Sequence, residues 1–261
     1  MNLTTQTFLQ HPPVGGGVFN DVLEPLLALQ DEVRHAFGYS IESDVESAKQ
    51  MELLFSEERP FGREEWNTDK RQLATIELRN HLHAAKQLYV VGAGSQSIRT
   101  SDYDSEARFI AADGAVGAID DLSKVLCVVS DGDGADHLHR AVESSVHIVL
   151  HAHGDNLETW NGLCMKWALM ESVPSLTLTH QTKTSFSGMH NPGGFTDGDR
   201  ALCFLQSIGL DLSHVQCLGF STQKVGRWSG TTNPVAKLDK LQWMNEAMIR
   251  LGVEHQLINY D

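Results

Sequence analysis

Apolar positions along the 261-residue chain change their period near residue 87. Before that point, "DVLEPLLALQDEVRHAF" (21–37), "IESDVESAKQMELLF" (41–55) and "TDKRQLATIELRNHLHAA" (68–85) space their apolar residues by three and four. That is the period of a helix with one buried stripe. After it come short β-branched runs, each closed by Gly, Ser or Asp and leading into a helical stretch. They are "QLYVVGAGS" from Gln87, "RFIAADGA" from Arg108, "KVLCVVSDGDG" from Lys124, "VHIVLHAHGDN" from Val146, "SLTLTHQT" from Ser175, "HVQCLGFS" from His214 and a terminal "EHQLINY" from Glu254.

Continuous apolar strands alternating with helices predict the α/β class: a mostly parallel, Rossmann-like sheet flanked by helices, preceded by an N-terminal helical region. The expected organisation is a flexible tail over 1–20, marked by Pro-Pro and a Gly triplet, helices over 21–85, and an α/β catalytic domain over 86–261. In such a sheet ligands sit beyond the carboxyl ends of the strands. The polar residues of this chain gather at those ends.

Gly92 and Gly94 follow the first strand, where backbone amides can face a phosphate or simply make a tight turn. Asp113 closes the second strand, and Asp131 and Asp133 close the third. Asp197 and Asp199 repeat the Asp-Gly-Asp device in "GGFTDGDRA", with Arg200 beside them. An Asp-Gly turn on the surface, or an Asp capping a helix, is the plainer reading of each. Gathering so many carboxylates calls for a cation, and oxygen ligands of this kind suit Mg²⁺.

Charge narrows the partners. Lys and Arg total 20 against 34 Asp and Glu, a net charge of −14, the wrong sign for gripping nucleic acid. Cys127, Cys164, Cys203 and Cys217 form no C-x-x-C pair and read as reduced core residues. The N-terminal sequence has neither a basic start nor a long apolar run, and no apolar stretch is long enough for a membrane span, so the expectation is a soluble, cytoplasmic protein.

The stretch "HAHGDN" leaves two chemistries open. His151, His153 and Asp155 have the spacing of a zinc hydrolase, with His180, His190 and His214 as further ligands. The same residues, with Asn156, suit a phosphate site, and the strand-end carboxylates favour magnesium over zinc.

Taken in order, "FGYS" with the following Asp and Ser-Ala, "VVGAGSQS", "AADGA", "SDGDG", "HAHGDN", "NPGGFTDGDRA", "VGRWSG" and "KLDKLQW" resemble the archaeal 6-hydroxymethyl-7,8-dihydropterin pyrophosphokinases over roughly residues 25–255. The resemblance implies a catalytic domain similar to thiamin pyrophosphokinase, Mg²⁺ dependence, and transfer of diphosphate from ATP to a pterin hydroxymethyl group with release of AMP. The product would feed folate- or methanopterin-type coenzymes. On that footing Asp131 and Asp133, with Asp197 or Asp199, are expected to hold Mg²⁺. Gly92, Gly94, Ser95 and Arg200 would steady phosphate charge, while His151, His153, Asp155 and Asn156 line the site. Asp113 or Asp155 would accept the proton of the alcohol. His180, Gln181, Asn191 and Phe195 are the candidates for pterin contact, and Trp228, in a loop, could cover a ligand. A zinc hydrolase, a diphosphokinase for thiamin or another alcohol, and a non-catalytic nucleotide-binding protein are the alternatives. Strand edges and an amphipathic cap allow a homodimer.

Overall fold

The computed structural model describes residues 18–230 and 233–258. Three helices come first: α1 (Glu24–Phe37), α2 (Ile41–Phe55) and α3 (Thr68–Ala84). Local signals set their ends. Pro25 opens α1 and Gly38 closes it at φ 66°. The side chains of Ser40 and Asn67 cap α2 and α3 by accepting from Ser43 N and Lys70 N.

Seven strands follow: β1 (Gln87–Val91), β2 (Ala107–Ala112), β3 (Val125–Ser130), β4 (His147–Ala152), β5 (Leu176–His180), β6 (Met189–His190) and β7 (Val215–Leu218). Between and after them lie α4 (Ala135–Glu143), α5 (Leu157–Ala168), α6 (Asp197–Ser207) and α7 (Pro234–Leu251). The strands form one sheet in the order β6-β5-β4-β3-β2-β1-β7, parallel at every pairing. The expected α/β architecture is therefore what the chain adopts.

Period-two alternation divides the sheet into two buried faces. Tyr89, Val91, Ile148 and Leu150 face one core with Leu138, Trp160 and Phe55, from α4, α5 and α2. Leu88, Val90 and Val149 face the other with Leu78, Phe204 and Met248, from α3, α6 and α7. The chain runs from β1 through β6 on one side of β1 and then crosses to place β7 on the other. This switch of direction opens a crevice at the carboxyl ends of β1 and β7.

Phe19 stacks on His190 at 4.1 Å and Asn20 N donates to Ser207 O, so these residues are packed; residues 1–17 lie outside the described set. The terminal "EHQLINY" adds no described strand: Glu254–Gln256 is a 3-10 turn, and residues 259–261 lie outside the described set. Gln256 takes the place of a partner strand. Its Oε1 accepts from Cys217 N (2.7 Å) and its Nε2 donates to Val215 O (3.0 Å), closing the edge of β7 with one side chain. Among the described residues no helix is long and apolar enough to cross a membrane.

A buried histidine fastens α3 to the sheet. The Thr75 hydroxyl donates to Arg71 O, so Thr177 donates to Thr75 and His147 Nε2 must donate to Thr177 (2.8 Å). Burial pushes the ring's pKa down to about 3. With the unfolded value near 6.5, this neutral histidine contributes no pH dependence above about pH 6.5. Below it the unfolded chain binds a proton that the folded chain refuses, so stability falls by up to ~1.4 kcal/mol per pH unit until about pH 3. Urea unfolding of the wild type and His147→Gln between pH 7.5 and 4.5 is expected to show the variant losing less stability on acidification, by roughly 2–3 kcal/mol over the range. A difference between the two that stays constant with pH would refute this assignment.

Candidate active site

Three carboxylates converge at the carboxyl ends of β2 and β3. Oxygen atoms of Asp113, Asp131 and Asp133 all lie within 4.8 Å of one another. Asp113 is buried and sits at φ 46°, a backbone state that L residues hold only when their surroundings impose it. Ser130 Oγ donates to its Oδ1, and a Cβ on Gly134 would come within 2.2 Å of its Oδ2, so the glycine makes room for the acid.

The electrostatics record the crowding. Burial first, then the charges of Asp197 and Asp131, hold the Asp113 carboxyl well above the ordinary range. Burial and Asp131 likewise push Asp197 up to about 7, against the opposing pull of Arg200. Asp131 goes the other way. Burial opposes its charge, but a hydrogen bond from His153 and the charges of His153 and Arg200 keep it below the usual carboxylate range. His153 lies between Asp131 (3.1 Å) and Asp155 (2.6 Å). Burial would lower its pKa, yet these two partners carry it up to about 9.

This geometry separates the residues of "HAHGDN". His151 is fully buried beneath the site, within 3.0 Å of Thr179 Oγ1 and 3.4 Å of Gln181 Oε1. Asn156 ties the turn together: Nδ2 donates to Asp131 O and His151 O, and Oδ1 accepts from His153 N. Of this stretch, His153, Gly154 and Asp155 line a cavity. The other histidines are scattered. His180 packs edge-on against Phe186, His190 stacks on Phe19, and His214 is exposed beside Asp211. Among the described residues, the metal-binding group that converges is carboxylate alone, which does not favour the zinc hydrolase.

The loop before α6 divides its acids by position. Asp199 accepts from Phe195 N (2.6 Å), Thr196 N (2.9 Å) and Thr196 Oγ1, forming a capping box with both carboxylate oxygens occupied. It was expected among the metal ligands; the structure spends it on holding the loop. Asp197 points into the site and accepts from Arg200 Nη1 (2.9 Å). Arg200, fully buried, also donates to Phe195 O (2.7 Å). The carboxylates that converge most closely are Asp113, Asp131 and Asp133, and Asp197 borders both of the cavities that meet over them.

Among the pterin candidates, Asn191 has its amide satisfied by Gln30, Thr182 O and Gly193 N, so it is part of the scaffold. His180 is buried at a strand end and lines neither of the two cavities over the acids. Gln181 and Phe195 do line a cavity.

Two cavities meet over the acids. One, of about 60 Å³, lies in the crevice between β1 and β7, with Asp113, Phe220 and Trp228 in its wall. The other, of about 260 Å³, lies under the α1–α2 turn, with Tyr39, Asp44, Asp131, His153, Phe195 and Lys240 around it. Gly92 and Gly94 border the first, but their amides are committed. Gly92 N donates to Leu218 O, Gly94 N to Gly219 O and Ser95 N to Gly92 O, and a Cβ on Gly219 would stand 2.1 Å from Ser95 N. These glycines serve the close approach of the β7 segment; those three amides are not free for phosphate. Trp228 closes over them, donating from Nε1 to Ser95 O (2.9 Å).

Asp44, Lys237 and Lys240 fall within the resemblance motifs, as the Asp after "FGYS" and the two lysines of "KLDKLQW", but were assigned no role of their own from the sequence. Asp44 accepts from Arg34 Nη1, Gly154 N and Gln181 Nε2 and so joins both cap helices to the ends of β4 and β5. Its signal was a charged residue at an otherwise buried position of the α2 stripe, in register with Ala48, Met51 and Phe55.

A parallel sheet with a crevice at its switch point, and two cavities meeting over carboxylates, has the form of a two-substrate α/β enzyme. No protein-family profile matches the chain. Over 198 residues it is 30% identical to the 6-hydroxymethyl-7,8-dihydropterin pyrophosphokinase of Pyrococcus furiosus, an alignment covering 74% of this chain and 75% of that protein. The proteins of the same name from Methanocaldococcus jannaschii and Methanothermobacter thermautotrophicus are each 28% identical, over 67% and 79% of this chain and 70% and 85% of theirs. The chain belongs to the 6-hydroxymethyl-7,8-dihydropterin pyrophosphokinase family.

The different duties of the acids can be told apart by stability. Asp199→Ala strands Phe195 N and both donors of Thr196, and is expected to cost at least about 1–3 kcal/mol. Asp133→Asn, at an exposed position, is expected to change stability by no more than about 0.5 kcal/mol. Urea unfolding of the two variants measures the contrast; equal effects would remove it.

Proposed function

We propose that this chain transfers diphosphate from ATP to the hydroxymethyl group of 6-hydroxymethyl-7,8-dihydropterin, releasing AMP. The observation that carries the reading is the meeting of two cavities over Asp133 and Asp197 in a member of this family. The product would serve folate- or methanopterin-type coenzyme synthesis.

The larger cavity suits the pterin. A flat heterocycle can lie against Tyr39 and Phe195, whose ring centroids are 6.4 Å apart, with Lys240 5.8 Å from each ring. The buried carboxylate of Asp44 and the amide of Gln181 supply polar contacts on the same wall. The nucleotide then enters along the β1–β7 crevice, beneath Trp228, and its phosphates reach the acids between the cavities.

Asp113, Asp131 and Asp133 fit a hard divalent cation: all donors are oxygen, they converge, and their mutual repulsion is of the kind a cation relieves. Mg²⁺ held there would screen the charge of the phosphates. The protein's own part is positioning and charge. Arg200, fixed by Asp197 and Phe195 O, presents positive charge to the larger cavity, as does His153. The proton leaving the alcohol goes to a carboxylate on the pterin side, where Asp155 and Asp197 stand; Asp113 borders the other cavity.

Incubation with ATP, Mg²⁺ and the pterin, followed by chromatography of the nucleotides, is expected to show AMP formed only when the pterin is present. Asp131→Ala and Asp133→Ala are expected to lower kcat by about 10²–10³. Either variant turning over normally would sink the assignment of the acid cluster. Phe195→Ala should raise KM for the pterin about tenfold while leaving that for ATP unchanged, consistent with the loss of one stacking face.

A further inference from the structure

The two cavities share four lining residues: Asp133, Thr196, Asp197 and Lys237. Three are acidic or neutral. Lys237 is the one cationic side chain, among the described residues, that borders both spaces.

Its placement follows from the start of α7. Asn233 caps the helix by accepting from Val235 N and Ala236 N, Pro234 takes the first helical position, and Lys237 N donates to Asn233 O (2.9 Å). The first turn is thereby fixed. Helical spacing then lays Lys237, Leu241 and Met244 along the smaller cavity, while Lys237 and Lys240 border the larger one. Lys237 is where the two rows cross.

Of the other cations on the two walls, Lys224 borders the smaller cavity alone, and Arg200, His153 and Lys240 border the larger alone. Arg200 is buried and held by Asp197 and Phe195 O, and His153 is held between two carboxylates. Lys237 is half-buried and makes none of the ion pairs found among the described residues, although its charge reaches Asp197. A flexible four-carbon stem lets its ammonium follow a group that moves from one cavity toward the other.

We propose that Lys237 is a catalytic residue that contacts the diphosphoryl group during transfer, an inference that rests on the diphosphokinase reading above. The pterin hydroxyl oxygen bonds to the β-phosphorus. The bond from that phosphorus to the oxygen shared with the α-phosphorus breaks, its electron pair leaving on AMP, and the hydroxyl proton passes to a carboxylate and then to water. Charge remains on the transferring phosphates as they pass between the cavities, and the Lys237 ammonium offsets it on both sides.

The test uses the full chain with Mg²⁺, ATP and the pterin, and calorimetric titration with AMP and with α,β-methylene-ATP. Lys237→Met is expected to lower kcat by about 10²–10³ with KM for the pterin within about threefold. AMP affinity should be unchanged, whereas the analogue, which carries the diphosphoryl group, should bind about tenfold more weakly. Lys237→Cys should be equally slow and regain rate on alkylation with 2-bromoethylamine, which rebuilds an ammonium of similar length; the same treatment should leave wild type unchanged. That recovery within one polypeptide separates lost charge from a misfolded variant. A Lys237→Met chain with kcat within about threefold of wild type, or one that loses AMP and analogue affinity equally, overturns the inference while the diphosphokinase reading stands. A wild type that forms no AMP overturns both.

Discussion

Repulsion among carboxylates gathered at two strand ends and one helix start is the constraint around which the rest of the site is arranged. Asp113, buried, and Asp131 and Asp197, partly buried, cannot all carry charge side by side with Asp133 at the rim without compensation. The protein meets this unequally. Burial and neighbouring charge push Asp113 and Asp197 toward their neutral forms, while His153 and Arg200 keep Asp131 ionised. Asp113 is also held in an unfavourable backbone state, with Ser130 bound to it and a glycine cleared away beside it. Such arrangements cost stability and persist where the charge pattern itself is needed.

The cap helices are part of the same system. Asp44 is a charge buried in the stripe of α2, and its three donors come from α1, the turn after β4 and the end of β5. A buried charge satisfied from three separate elements fixes their relative positions more strictly than apolar contact does, because loss of any donor leaves part of a charge unpaired. The N-terminal helices thus form one wall of the larger cavity as well as a cover for the sheet. Trp160 makes the same connection from below, donating to Ser47 of α2 from within α5.

Much of this was legible in the sequence, for definite reasons. Short apolar runs ending in Gly or Asp located β1 through β4 and β7, and the Leu-Thr alternation of "SLTLTHQT" located β5. β6, two residues long, has no such run, and the terminal segment was read as a strand because it carries β-forming residues; a single glutamine closes that edge instead. In the site, the acids were visible but their duties were not. "SDGDG" and "FTDGDR" look alike, yet the second carries Thr196 three residues before Asp199, the spacing of a capping box, and that signal separates the ligand type from the cap. "HAHGDN" suggested equivalent histidines. Their separation into one buried strand residue and one cavity residue depends on where β4 ends, which spacing alone does not fix. Asp44 and Lys237 stand in quoted motifs, but their roles depend on distant elements meeting, so local pattern could not assign them.

The glycine turn after β1 bears on where phosphate charge can be met. In a dinucleotide fold the amides at this turn and the following helix N-terminus receive a pyrophosphate directly. Here no described helix follows β1 at once, and the amides of Gly92, Gly94 and Ser95 are consumed by the β7 segment and by the turn itself. The crevice remains, but its backbone donors at those positions are spent on closing it. On the proposed function, phosphate charge would be met from the side chains above the crevice and from a cation among the acids. This fits a chain of net charge −14 that nonetheless brings Arg200, Lys237, Lys240 and His153 to the walls of its cavities. Overall acidity repels polyanions at long range, while a few cations placed beside a carboxylate cluster favour a small anion that arrives with its own metal.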